Sequence, residues 1–140
     1  MKSYTYTTTT DVTADKLYHA ITDINRWPEW DSEIEATTHD GKLAPGSPFT
    51  LKPKGDPKVA MEVVEATAPT IFVDLAHLPL AKVRTSHRFI PQADGSTRIE
   101  IKIEVFGPLR FLWDRILVRK LAAGAVDQTR AFTTYVARTS

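Results

Sequence analysis

The sequence predicts an α+β protein: a curved antiparallel sheet of about seven strands wrapped around one long C-terminal helix, with two short helices after the first strand. Three observations predict it. "TRIEIKIEVFG" alternates strictly, Ile99, Ile101, Ile103 and Val105 against Arg98, Glu100, Lys102 and Glu104, so one face meets a core and the other meets water. Everything after Gly107-Pro108 lacks proline and carries apolar residues at helical spacing. Early in the chain a short stretch switches from strand period to helix period. A sheet with one apolar face and a helix with an apolar stripe then cover each other.

Taken in order, Lys2 to Thr10 is rich in threonine and tyrosine, types that suit a pleated strand. Leu17, Ile21 and Ile24 recur at helical spacing, which predicts a helix from Ala14 to about Thr22 with Thr13 as N-cap and Asp15 in its first turn. "NRWPEWD" makes a second short helix or turn with Pro28 near its start. "EIEATTH", "FTLKP", "KVAMEVVEAT", "TIFVDLAH" and "KVRTSHRFIP" read as strands, separated by the turn chemistry of "DGKLAPGSP", "KGDP", "AP", "LPLA" and Asp94-Gly95. Pro108 opens the long helix, and its repeat reads Leu109, Leu112, Trp113, Ile116, Leu121, then Gly124, Gln128, Ala131 and Tyr135. Such a helix spans roughly 40 Å, enough to cross a small domain.

The bulk properties narrow the function classes. The chain of 140 residues fits one domain spanning residues 1–140, and its formal net charge of +1 gives no field that would draw nucleic acid. It has no cysteine, so disulfides, thiolate metal sites and a cysteine nucleophile are excluded. "MKSYTYTTTT" lacks the apolar run of a signal peptide, and no stretch reaches the roughly 18 apolar residues of a membrane span. The expected location is the cytoplasm. No phosphate loop, serine–histidine–acid set or metal-ligand spacing of the H-x-H or H-E-x-x-H kind is present, and no motif calls for a cofactor.

Two motifs and the element order carry a resemblance. "ITDINRWPEWD" resembles the D-x-x-x-W-P-x-W stretch of bacterial polyketide cyclase/dehydrase-like proteins, and "HRFIPQADGSTRIEIKIEVFGPL" resembles their hairpin leading into a Gly-Pro helix start. The whole chain resembles the helix-grip fold of the START and birch-pollen-allergen superfamily (SRPBCC). The resemblance implies an elongated apolar cavity between sheet and C-terminal helix. It implies a lipid, sterol or polyketide-like ligand and, in some members, cyclisation or dehydration. It supplies no shared catalytic motif.

The alternation then points Phe49, Leu51, Met61, Val63, Val73 and Leu75 inward, together with His87, Phe89, Ile101 and Ile103. The helix is expected to add Leu112, Trp113, Ile116 and Leu117, and Trp30 to line the cavity beside a packed Trp27. His87 is the weak catalytic candidate, as the one histidine in a clearly inward phase. Asp74 and Arg84 are charges among apolar neighbours, functional only if they face inward. Glu29 and Asp31 read as surface residues or caps, and Gly124 as a site of close packing or room for a ligand. "PLRFLWDRILVRK" mixes aromatics with Arg110, Arg115, Arg119 and Lys120, as a solvated basic face or a membrane-touching one. Three functions fit: a container for a small hydrophobic molecule, a polyketide cyclase/dehydrase-type enzyme using the same cavity, or a partner-binding domain using its outer surface, as monomer or homodimer.

Overall fold

The computed structural model describes residues 2–139. Seven strands form one antiparallel sheet: β1 (Lys2–Thr10), β2 (Ile34–Thr38), β3 (Pro48–Pro53), β4 (Val59–Thr67), β5 (Ile71–Leu78), β6 (Ala81–Pro91) and β7 (Thr97–Phe106). Their order in space is β1-β7-β6-β5-β4-β3-β2, so the first strand closes onto the last. Between β1 and β2 lie the first helix, Ala14–Thr22, and a 3₁₀ helix, Ile24–Glu29. Thr13 caps the first helix through its side chain, as expected, whereas Pro28 falls near the end of the 3₁₀ helix rather than its start.

The register fixes which side chains share a face, because opposed residues in an antiparallel pair point the same way. Ile99, Ile101, Ile103 and Val105 oppose Phe89, His87, Thr85 and Val83, and on the next pair Phe72, Asp74 and Ala76 oppose His87, Thr85 and Val83. This face holds the core. One end of the core is aromatic: the Trp27 ring sits 5.5 Å from Phe49 and 6.2 Å from Phe72, and Phe132 of the long helix lies 6.4 Å from Phe89. Trp27 is 5 % exposed and its indole N–H donates to the Ile21 carbonyl at 2.9 Å, so its burial, worth about 2–3 kcal/mol, leaves no polar group unpaired.

The long helix comprises Arg110–Trp113, a π turn at Asp114–Val118 and Arg119–Thr139. In the π turn the Arg119 N–H reaches back five residues to the Asp114 carbonyl. Gly107, at φ +107°, makes the corner before the helix. A Cβ there would lie 2.7 Å from the Leu80 carbonyl oxygen, so only glycine fits.

The helix does not present the face its apolar repeat predicts. Its buried stripe is Asp114, Val118, Ala125, Thr129, Phe132 and Val136. Leu112 and Ile116 are 47 % and 56 % exposed, and Trp113 and Leu117 are only partly buried. Gly124 is also exposed, with no atom within 4 Å of its would-be Cβ, so it neither packs closely nor makes room for anything. Half of that stripe, Asp114, Ala125 and Thr129, is small or polar and carries little hydrophobic signal, while larger apolar residues lie on the outside.

Candidate functional site between sheet and helix

The long helix is pinned at both ends. Near its start the Tyr4 hydroxyl donates to Asp114 at 2.6 Å, and Lys2 and Arg119 lie 3.5 Å and 3.2 Å from the same carboxylate. The Tyr4 hydrogen bond is the chief cause holding the Asp114 carboxyl below the usual carboxylate range. Toward its end Phe132 packs 4.7 Å from Trp30, Gln128 donates to Asp31 at 2.7 Å, and Tyr135 donates to Glu29 at 3.0 Å. Asp31 is thus buried, not a surface residue, and it also accepts the Glu33 N–H. Between the two anchors the helix offers Ala122, Ala125 and Thr129 toward the sheet.

The sheet offers polar groups at its centre. Asp74 opposes Val63 on one side and Thr85 on the other, and His87 lies one inward position along β6. Asp74 is 4 % exposed, and burial pushes its carboxyl up to about 7. Burial likewise pulls His87 down to about 4, partly offset by the Phe72 carbonyl 3.3 Å from Nδ1. A carbonyl only accepts, so the neutral imidazole carries its proton on Nδ1 and keeps Nε2 as an acceptor. His87 is enclosed by protein, yet it and Thr85 retain some accessible surface while pointing at the helix. Thr129, 4 % exposed, has a hydroxyl with no protein partner, and the Trp30 indole N–H lacks one too. Buried polar groups seldom stay unpaired.

Most of the expected inward residues gather on this face: Phe49, Met61, Val63, Phe89, Ile101 and Ile103 are buried in the core, His87 shares their face while partly accessible, and Leu51 packs against the core's margin. Val73 and Leu75 do not. They oppose Ser86 and Arg84 on the outer face of the sheet. Apolar residues occupy both faces of β5, so alternation there has no phase, and Asp74 as a carboxylate reads as outward. Arg84 faces outward, its guanidinium 5.1 Å from the Phe106 ring centroid. Leu112 and Ile116 are exposed, and Trp113 donates its indole N–H to the Pro79 carbonyl at 2.9 Å. Thr129 and the Asp114 anchor went unread. An acid four residues before Val118 in an apolar run was the available signal for the anchor.

Two surface hollows lie elsewhere. One of about 470 Å³ runs along the end of the helix past Trp30, Ala131 and Tyr135. One of about 460 Å³ crosses the outer face of the sheet over Val73, Arg84 and Lys102. Among the described residues no cluster of histidine and carboxylate side chains has the arrangement of a metal site, and no helix is long and apolar enough to cross a membrane.

With this geometry in view, the chain matches over residues 1–136 the family described as polyketide cyclase / dehydrase and lipid transport. The chain belongs to that family. Solved structures share its fold across nearly its full length. Ara h 8.0201 has a TM-score of 0.75 at 17 % identity, covering 98 % of both chains. A START superfamily protein from Mycobacterium smegmatis has 0.74 at 16 %, covering 99 % of both. The di-domain ARO/CYC StfQ from the steffimycin biosynthetic pathway has 0.65 at 15 %, over 94 % of this chain and 42 % of that one. At such identities the likeness shows the helix-grip fold. No curated protein matches in sequence.

Proposed function

We propose that this protein is a single-domain cytoplasmic container for a small, largely apolar molecule, held between the centre of the sheet and the long helix. One observation supports the reading: His87 and Thr85 keep accessible surface on the core face of the sheet, and the buried stripe of the covering helix narrows to Ala125 and Thr129 before Phe132. Apolar walls with a few convergent polar groups are the usual make-up of a ligand site. Asp74, Thr129 and the Trp30 N–H supply donors, and His87 Nε2 supplies an acceptor. The ligand is therefore a hydrophobic body bearing a carbonyl or hydroxyl oxygen, in keeping with the family's lipid and polyketide chemistry.

The test is occupancy. Native mass spectrometry of protein purified from its own host should show a copurifying apolar molecule, and an apolar fluorescent dye should bind the emptied protein. Ala125→Phe, which adds bulk between sheet and helix from the helix side, should abolish dye binding while leaving the fold intact. Dye binding that survives Ala125→Phe, or protein that neither carries nor binds any apolar molecule, sinks the reading.

A second reading is favoured by one group. A carboxyl poised near 7 in an enclosed space is matched to proton transfer at neutral pH. In a cyclase/dehydrase-type reaction Asp74, rather than His87, would exchange the proton, because His87 stays neutral down to about 4. The space between sheet and helix would supply orientation. Asp74→Asn should then stop turnover of an aromatic polyketide without releasing it, and unchanged turnover removes Asp74 from the chemistry.

A further inference from the structure

The largest apolar side chains of the long helix face solvent at its beginning. Phe111 is 66 % exposed, Ile116 56 % and Leu112 47 %, and they are joined by Leu80, 65 % exposed, at the β5–β6 turn. These belong to one patch. The Leu109 N–H donates to the Leu80 carbonyl at 3.0 Å, and the Trp113 indole ties the helix to Pro79 beside it.

Two features make the patch unlike a random scatter of exposed leucines. Leu80 holds φ +55°, a conformation that costs an L-residue with a branched side chain, and it does so at a tip where nothing covers it. The π turn spaces the exposed positions Phe111 and Leu112, Arg115 and Ile116, Arg119 and Lys120 by four residues, which keeps them in register along one side of the helix.

Along the start of the helix the exposed charge has one sign. From Phe106 to Ala125 the sequence carries Arg110, Arg115, Arg119 and Lys120, and its single acid, Asp114, is 2 % exposed and engaged by Tyr4, Lys2 and Arg119. Exposed aromatic and aliphatic residues rimmed by arginine and lysine suit an anionic bilayer surface, where the apolar side chains enter the headgroup boundary and the cations meet phosphate. A symmetric second copy is a poor occupant, because it would set this basic rim against itself with no exposed acid to answer it.

We infer that the start of the long helix and the Pro79-Leu80 turn form a docking face for an anionic lipid surface. This stands apart from the ligand reading, since these side chains face solvent and not the space between sheet and helix.

Sedimentation with vesicles tests it. Wild-type protein should bind vesicles of equal parts phosphatidylcholine and phosphatidylglycerol at least tenfold more tightly than phosphatidylcholine alone, and added salt should weaken the binding. Arg115→Glu with Lys120→Glu should weaken it about 25-fold or more, at about fivefold for each charge removed. Phe111→Ser with Ile116→Ser should weaken it comparably. All four positions are exposed, so melting temperature and dye binding should not change in either variant. No preference for anionic vesicles, or binding that both variants retain, overturns the proposal. So does a stable dimer in analytical ultracentrifugation that Phe111→Ser with Ile116→Ser dissociates, since a second copy would then cover the face.

Discussion

Asp74 and His87 stand on a diagonal of neighbouring strands, and burial moves them in opposite senses. Their ordinary values are 3.8 and 6.5, and their folded values are about 7 and about 4. Within that window the folded chain keeps one proton on the carboxyl and none on the imidazole, and the unfolded chain does the reverse. The raised carboxyl contributes stability that is full below its unfolded value and lost as pH rises through about 7. The depressed imidazole contributes stability present above 6.5 and lost as pH falls toward about 4. In wild type the two slopes offset each other. Urea unfolding across pH should separate them. Asp74→Asn should gain stability from pH 4 to 6.5, by up to about 1.4 kcal/mol per pH unit, and His87→Gln should lose it over pH 4 to 7 at a similar rate. Flat profiles in both variants would contradict the burial of this pair. His87 was legible as inward because its strand alternates cleanly. Asp74 was not, because a carboxylate on an apolar strand reads as facing water until the register is known.

At the scale of elements, the strands and the helix boundaries were legible and the rotation of the long helix was not. Strand alternation is a two-state signal, and β7 follows it from Arg98 to Ile103, with Ile99, Ile101 and Ile103 buried. A helix has a continuum of rotations, and its sequence pattern selects one only if the largest apolar residues are the buried ones. Here Ala122, Ala125 and Thr129 face the sheet while Phe111, Leu112 and Ile116 face out, so the pattern selected the wrong rotation. Gly124 followed the same error. It lies on the solvent side with open space around it, so Gly124→Ala should stabilise the protein by roughly 1 kcal/mol and raise the melting temperature by about 3 °C. A decrease in calorimetric melting temperature would show that the glycine serves something this side of the helix does not reveal.

At the scale of the whole molecule, the order of elements was enough to predict the architecture. One alternating face and one long amphipathic segment have few ways to hide from water together. Closure of the sheet depends on β1, which pairs along β7 from Lys2–Val105 to Thr10–Thr97 and also delivers Tyr4 to Asp114. Removing residues 2–10 should therefore do more than shorten the chain. It leaves β7, with its row of isoleucines, as an unpaired edge, and light scattering should report aggregation at micromolar concentration. A truncated chain that stays monomeric with an unchanged melting temperature would show that the edge is covered in some other way.

The same pairing sets a constraint during synthesis. β1 leaves the ribosome before β7, the strand it pairs with, so it must wait as an unsatisfied ribbon while the intervening strands are made. Isoleucine or valine throughout would make that wait hazardous. A run of threonines keeps the β-branched stiffness the ladder needs and gives the nascent segment hydroxyls that water can hold until β7 arrives.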